Sequence, residues 1–431
     1  MNTSLDRSKA PEAAPLHNIH LPDFQTIHLS NGTPVYLLPF GAVEVVELQV
    51  IFRAGKAYES AVGISAYTSR MMQEGTKNYS SLQIAQELDG QGAWLSAEVG
   101  EESLAFKMAT TTDKLVEVLP YLIDILNHPL FPEREFFRMK GQALDRLKVS
   151  EQKAQTKAQR KFSALMYGTD HPYGQTLGAK ELESIQLDML KAYYKELLVP
   201  GNIEIAISGR YDEGQVMKML EHSFGQSDRS SFVLPPSQTT AKALTSPGGR
   251  YHVPHEGPQS TIRLGHRGVS RSHPDYYQID VVNTILGGYF GSRLMKNIRE
   301  EKGYTYGIYS AYWPSRHHGE MFIQADVGNE YVELTIDEIK KEITRLQQDG
   351  VDESEMELVK NYLLGRSINR RETLFQLGDL LRFSIMHDVS FAELDRRYEV
   401  LNEMNREDVP EIARQYFRLD DLIEVVAGAK G

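Results

Sequence analysis

Apolar residues along this chain recur with two periods, and the places where one period gives way to the other lay out its elements. QTIHLSNGTPVYLLP and VEVVELQVIFRAG, residues 25–39 and 43–55, alternate with period two and predict an antiparallel opening around a hairpin turn at Asn31-Gly32. SAYTSRMMQEG and SLQIAQELDGQG shift to the helical period, and AWLSAEVG and SLAFKMATT return to alternation. DKLVEVLPYLIDILNHP is a strong amphipathic helix, and Pro132 opens one further helix that runs to MYG at 166–168. The stretch 227–250 is rich in Ser, Pro, Thr and Gly and reads as a linker.

Beyond the linker the plan repeats. STIRLGHRG, YTYGIYSAYW and HGEMFIQADVG predict strands, whereas DYYQIDVVNTILG, EYVELTIDEIKKEITRLQQDG and SEMELVKNYLLGR predict helices. LVEVLPYLIDILNHPLFPEREFFRMK and LTIDEIKKEITRLQQDGVDESEMELVK look like one helix-turn-helix unit repeated about 220 residues apart. Each half ends in a strand, at 203–212 and 421–429. The expected fold is therefore α+β, with two homologous domains, each a mostly antiparallel sheet packed with helices. The divisions are a polar extension at 1–22, a domain at 23–226, the linker at 227–250 and a second domain at 251–431.

Composition narrows the function. With 431 residues, 41% apolar and 25% charged, the chain is globular and too long for a single core. A net charge of −12, without a block of Lys or Arg, argues against nucleic acid or an anionic membrane as partner. No cysteine is present, which removes thiolate zinc sites and cysteine nucleophiles. No run approaches the roughly 18 apolar residues of a membrane span. The first 20 residues have no signal-peptide core, so the cytoplasm is the expected compartment, or the periplasm if the chain shown is already processed.

Candidate chemistry lies in two segments. Ala54, Gly55 and Glu59 form an AG-x-x-x-E segment ahead of a helical period bearing Gly63, Met71, Gly75 and Thr76. LGGYFGSRLMKNIREEKGYTYGIYSAY, 286–312, combines a Gly-rich turn, a helix containing Arg299 and a strand opening near Tyr306. Ser292 is the expected N-cap, Leu294 and Ile298 the buried face, and Gly303 the helix stop. From about residue 25 onward these features resemble the insulinase, or pitrilysin, peptidases. The likeness is to the short two-domain subunits, among them mitochondrial processing peptidase.

The resemblance implies an H-x-x-E-H zinc helix, yet its chemistry is missing. The first His falls on Ala66, the general-base Glu on Ser69 and the second His on Arg70; the third ligand, 76 residues further on, falls on Arg146. Two His at i and i+4 converge on zinc from one helical face, and the Glu between them activates the bound water. Alanine has no donor atom, and a guanidinium has no lone pair and repels a cation. Neither H-x-x-E-H nor H-E-x-x-H occurs anywhere, so no metal is expected in this chain. The pairs His252 and His255, and His317 and His318, lack helical ligand spacing and read as surface or strand-end residues.

What the second segment implies is complementary. Arg299 and Tyr306 match a family pair that binds substrate backbone and stabilises the scissile carbonyl as it becomes tetrahedral. As donors aimed at a developing oxyanion they would contribute roughly 3 kcal/mol each. From spacing alone, Arg299 reads as a helix C-terminal charge and Tyr306 as a core strand residue; the surrounding match of about 25 residues favours the family role. Gly287-Gly288 lacks the Gly-Lys-Ser/Thr of a phosphate loop. QGAWLSAEVGEES corresponds to the family's substrate-pairing edge strand, with Gly92, Ala93 and Ala97 small where a peptide backbone approaches.

The expected function is that of a non-zinc subunit, inactive alone, in a heterodimeric zinc metallopeptidase. A homologous partner carrying H-x-x-E-H would hold the zinc, and the substrate would be a peptide or extended segment. The alternative is a non-catalytic scaffold or peptide-binding protein of the same fold, which includes a self-dimer. A hydrolase built on Ser69 lacks both a neighbouring His and a G-x-S-x-G setting.

Overall fold

The computed structural model describes residues 20–229, 231–240 and 248–429. Most of the extension at 1–22, and residues 230 and 241–247 of the linker, lie outside the described residues. Strands β1 (Gln25–His28), β2 (Pro34–Pro39), β3 (Val45–Phe52), β4 (Trp94–Val99), β5 (Leu104–Thr111) and β6 (Ile203–Gly209) form one sheet. Strands β7 (Gly249–Pro254), β8 (Gln259–Gly268), β9 (Thr305–Pro314), β10 (Gly319–Gly328) and β11 (Ile423–Gly428) form the other.

The two sheets share one topology. The first has the order β1-β2-β6-β3-β5-β4 and the second β7-β11-β8-β10-β9, so removing β1 leaves the same arrangement. In both, the strand that closes the half inserts beside the strand that opens it in parallel, β6 on β2 and β11 on β7. Every other pairing is antiparallel. The fold is the expected duplicated α+β architecture.

Helices cover both faces of each sheet. The first half carries α1 (Ile64–Met72), α2 (Ser81–Gly90), α3 (Leu115–Asn127), α4 (Glu133–Glu151), α5 (Ala154–Tyr167), α6 (Ala179–Ser184), α7 (Leu187–Leu197) and α8 (Glu213–Phe224). The second half carries α9 (Tyr276–Asn283), α10 (Val332–Gln348), α11 (Glu353–Asn369), α12 (Leu374–His387), α13 (Phe391–Glu403) and α14 (Val409–Tyr416). Val46, Leu48, Val50 and Phe52 of β3 pack with Ile64, Tyr67 and Met71 of α1, Leu122 of α3 and Leu190 of α7. Ile262 and Leu264 of β8 do the same with Ile279, Ile336, Val359 and Ala413.

The opposite faces are covered by exchange. Helix α5 of the first half lies on β8 and β11, where Phe162 and Met166 bury against Phe322, Val425 and Ala427. Helix α12 of the second half lies on β3 and β6, where Leu377 and Leu381 bury against Ile51 and Ala206. This arrangement corrects the single helix expected from Pro132 to residue 168. The helix ends at Glu151, and Lys153 (φ −79°, ψ 137°) turns the chain before α5 begins. Neither Gly nor Pro stands at the break. The turn lets α4 stay on its own domain while α5 crosses to the other.

The described end of the linker is held between the halves. Thr239 is fully buried; its Oγ1 donates to Glu102 Oε1 at 2.7 Å, and its carbonyl lies 3.1 Å from His318 Nε2. His317 Nε2 lies 3.4 Å from Glu102 Oε1.

Candidate functional site

Glu59 starts the helix on which the metal motif would sit. It is buried, and accepts hydrogen bonds at 2.8 Å from the amides of Gly63 and Ser65 and another from the Ser65 hydroxyl. A carboxylate there satisfies amides that α1 itself leaves unpaired. Gly55, at φ +102°, passes so close to the neighbouring loop that a Cβ would lie 2.6 Å from the Gly100 carbonyl oxygen and 2.8 Å from the Ser103 amide. Beyond α1, Thr76 is buried and its hydroxyl accepts from the Tyr79 amide at 3.0 Å. The matching residues are thus scaffold, and their packing accounts for their identity.

The positions that would carry the chemistry are occupied by other groups. Ala66 is half-buried on α1. Ser69 is buried, and its hydroxyl donates to the Ala66 carbonyl at 3.1 Å, bonding back to its own helix. Arg70 on α1 and Arg146 on α4 are both exposed. The two helices are tied by Glu74, just past the end of α1, and Arg138 of α4, at 3.4 Å. This donor set does not fit zinc, because neither Ala66, Arg70 nor Arg146 offers a lone pair. Among the described residues no group of three His, Asp, Glu or Cys side chains gathers elsewhere.

Beside α1 runs β4, the end strand of the first sheet. Ala97 lies within it, whereas Gly92 (φ +62°, open space where a Cβ would stand) and the buried Ala93 precede it in the turn from α2. β9 is the end strand of the second sheet.

Arg299 and Tyr306 flank the turn into β9, and irregular backbone brackets both. Ser292 precedes the helix as expected, but its hydroxyl is buried without a hydrogen bond and caps nothing. From Met295 to Glu301 the helix widens to π geometry, which the sequence does not signal. Gly303 ends it at φ +67°, as expected. The Arg299 guanidinium stacks over the Phe290 ring at 4.6 Å. Between the pairs Thr305–Val327 and Ile308–Ala325, two residues of β9 stand opposite one of β10, which makes a β-bulge at Tyr306 and Gly307. Tyr306 is 91% exposed, so it is not a core strand residue; Thr305 and Ile308 take the buried places. π-Helical turns and edge bulges both re-aim side chains and recur beside functional sites.

A family model described as insulinase, peptidase family M16, matches residues 42–180, and one described as the peptidase M16 inactive domain matches residues 184–363. An uncharacterized zinc protease of Bacillus subtilis, YmxG, is 25% identical over 412 residues, covering 92% of this chain and 96% of that protein. Among solved structures, a peptidase M16 inactive domain from Pseudomonas fluorescens superposes with a TM-score of 0.87 at 24% identity, over 95% of this chain and 99% of that one. A protease from Helicobacter pylori also reaches 0.87, at 16% identity over 95% of this chain and 100% of that one.

Proposed function

Because the chain belongs to the insulinase (M16) peptidase family, we propose that it is the zinc-free subunit of a two-subunit metallopeptidase. In this reading Arg299 and Tyr306 bind substrate backbone and donate to the developing oxyanion, while a homologous partner with an H-x-x-E-H motif holds the zinc. One observation carries the reading: the metal motif keeps its scaffold at Gly55, Glu59 and Thr76 and loses its chemistry at Ala66, Ser69, Arg70 and Arg146, whereas the Arg299 and Tyr306 pair is kept, with Tyr306 turned outward.

The residue types suit the role. Stacking on Phe290 holds the Arg299 plane while leaving its N–H edges to donate. A solvent-facing phenol on a bulged edge strand is a neutral donor that needs no rearrangement to meet a carbonyl oxygen. The substrate is an unfolded peptide or extended segment, with small residues at Ala97 in β4 and at Gly92 and Ala93 just before it letting its backbone approach.

The test is to purify the chain alone and with a partner carrying H-x-x-E-H, and to follow cleavage of an unstructured peptide. The chain alone should cleave nothing. In the complex, Arg299→Ala and Tyr306→Phe should each slow turnover by roughly 10²-fold with assembly unchanged. Turnover that survives both changes removes the pair from the mechanism and leaves the alternative, a peptide-binding scaffold or self-dimer.

A further inference from the structure

The face that has lost the metal is not chemically blank. Arg70 on α1 and Arg146 on α4 are both exposed, on helices tied together by the Glu74–Arg138 pair. That pair engages the carboxylate at the end of α1. Tyr67, one turn before Arg70, is 3% exposed. Among the described residues neither guanidinium has an ion-pair or hydrogen-bond partner, and the Tyr67 hydroxyl has no hydrogen bond. Among the described residues most arginines are paired, as in Arg293 with Glu355 at 2.7 Å, Arg371 with Asp395 at 2.8 Å and Arg53 with Glu204 at 3.0 Å.

Three groups that can donate, two of them permanently positive, are therefore left without an acceptor. We propose that Arg70, Arg146 and Tyr67 form an oxyanion site that takes a carboxylate of an extended peptide lying along β4. Guanidinium N–H groups never accept, so the set selects a ligand that only accepts, and a planar carboxylate matches the fork of a guanidinium. Burial pushes the Tyr67 phenol upward, and the charges of Arg70 and Arg146 pull it down. Ala66, in the place of a ligand imidazole, leaves room on the same helix.

The peptide component comes from the sheet. α1 packs against β4, the end strand, whose outer backbone groups have no neighbouring strand to pair with. A chain added there would run beside the helix that carries Arg70. The site lies on the opposite half of the molecule from Arg299 and Tyr306, so it does not depend on their role in turnover.

Binding by the full chain, without partner or catalysis, tests the assignment. Fluorescence anisotropy would compare three labelled, unstructured octapeptides: one with a free C-terminal carboxylate, the same peptide amidated, and an amidated one with a penultimate glutamate. At least one carboxylate-bearing peptide should bind ten-fold or more tighter than the amidated, uncharged one, and which of the two does so identifies the carboxylate as terminal or side-chain. The difference should vanish in an Arg70→Gln, Arg146→Gln double variant that keeps the parent melting temperature, since neither residue has a partner to lose. Inorganic phosphate at millimolar concentration should compete only weakly. Equal affinity for all three peptides, no binding of any, a preference that persists in the double variant, or complete displacement by phosphate overturns the proposal.

Discussion

Glu47 sits on β3 with no exposure at all, its Oε1 accepting from Gln49 Nε2 at 2.6 Å and its Oε2 lying 3.7 Å from Lys107 Nζ. Burial pushes its carboxyl from 4.5 up to about 7, although Lys107 pulls the other way. Lys107 resists the burial that would discharge it because Asp379, at 2.6 Å, and Glu98, at 3.2 Å, also hold it. A carboxyl whose folded value lies above its unfolded one keeps a proton that the unfolded chain releases. Its contribution is therefore present below pH 4.5 and is lost as pH rises toward 7, by about 3 kcal/mol in all. Glu47→Gln should abolish that slope, so that the variant gains on the parent by about this amount between pH 4.5 and 7.5; urea unfolding across that range checks it, and parallel curves would contradict it. His387 works in the opposite direction: burial lowers it to about 4, so its contribution is lost as pH falls from 6.5 toward 4. The sequence made Ala66, Ser69, Arg70 and Arg146 conspicuous because a motif surrounds them. It gave no sign of Glu47, because a charge in an alternating strand reads as solvent-facing until a helix is known to cover that face.

At the scale of elements, tertiary packing overrode local pattern where chain distant in sequence intervened. The alternation of β3, β8 and β10 and the helix-turn-helix repeats were readable because each buries a face against its own half. The break between α4 and α5 was not, since the reason for it is the other sheet. Phe162 of α5 is fully buried against Phe322, and the Arg263 guanidinium lies 4.9 Å from the Phe162 ring and 3.7 Å from that of Phe322. Phe162→Ala should destabilise the chain by about 3 to 5 kcal/mol, through lost burial, the cavity left behind and the loss of one of the two rings over the buried Arg263. Near-ultraviolet circular dichroism through thermal unfolding would measure it; a change under 1 kcal/mol would mean that α5 is a loosely held strap. On α12, Gly378 lets the helix approach β3, since a Cβ there would stand 2.5 Å from Glu47 Oε1. The π-helical turn before Tyr304 and the bulge at Tyr306 belong to the same class: spacing placed Arg299 near a helix end and Tyr306 at a strand start, and backbone irregularity exposed the phenol.

In the whole molecule the exchange of α5 and α12 packs a helix of each half on the sheet of the other. A fragment of residues 251–431 would lack the helix that covers β8 and β11, and a fragment ending at 226 would lack the one that covers β3 and β6. Each should fail to unfold cooperatively by itself, and co-expressed halves should associate and regain one transition; gel filtration and calorimetry of the separate and mixed fragments check this. A well-folded single half would show that the exchanged helices are dispensable. Sequence by itself determined the duplication, the α+β class and the likeness to the family, because period, turn chemistry and motif spacing are local properties that a linear chain records. Only the tertiary structure decided which half each helix covers, that the linker end is buried at Thr239, and that Tyr306 faces solvent. It alone set α4 beside the end of α1 through the Glu74–Arg138 pair, because those facts depend on contacts between residues that no periodicity connects.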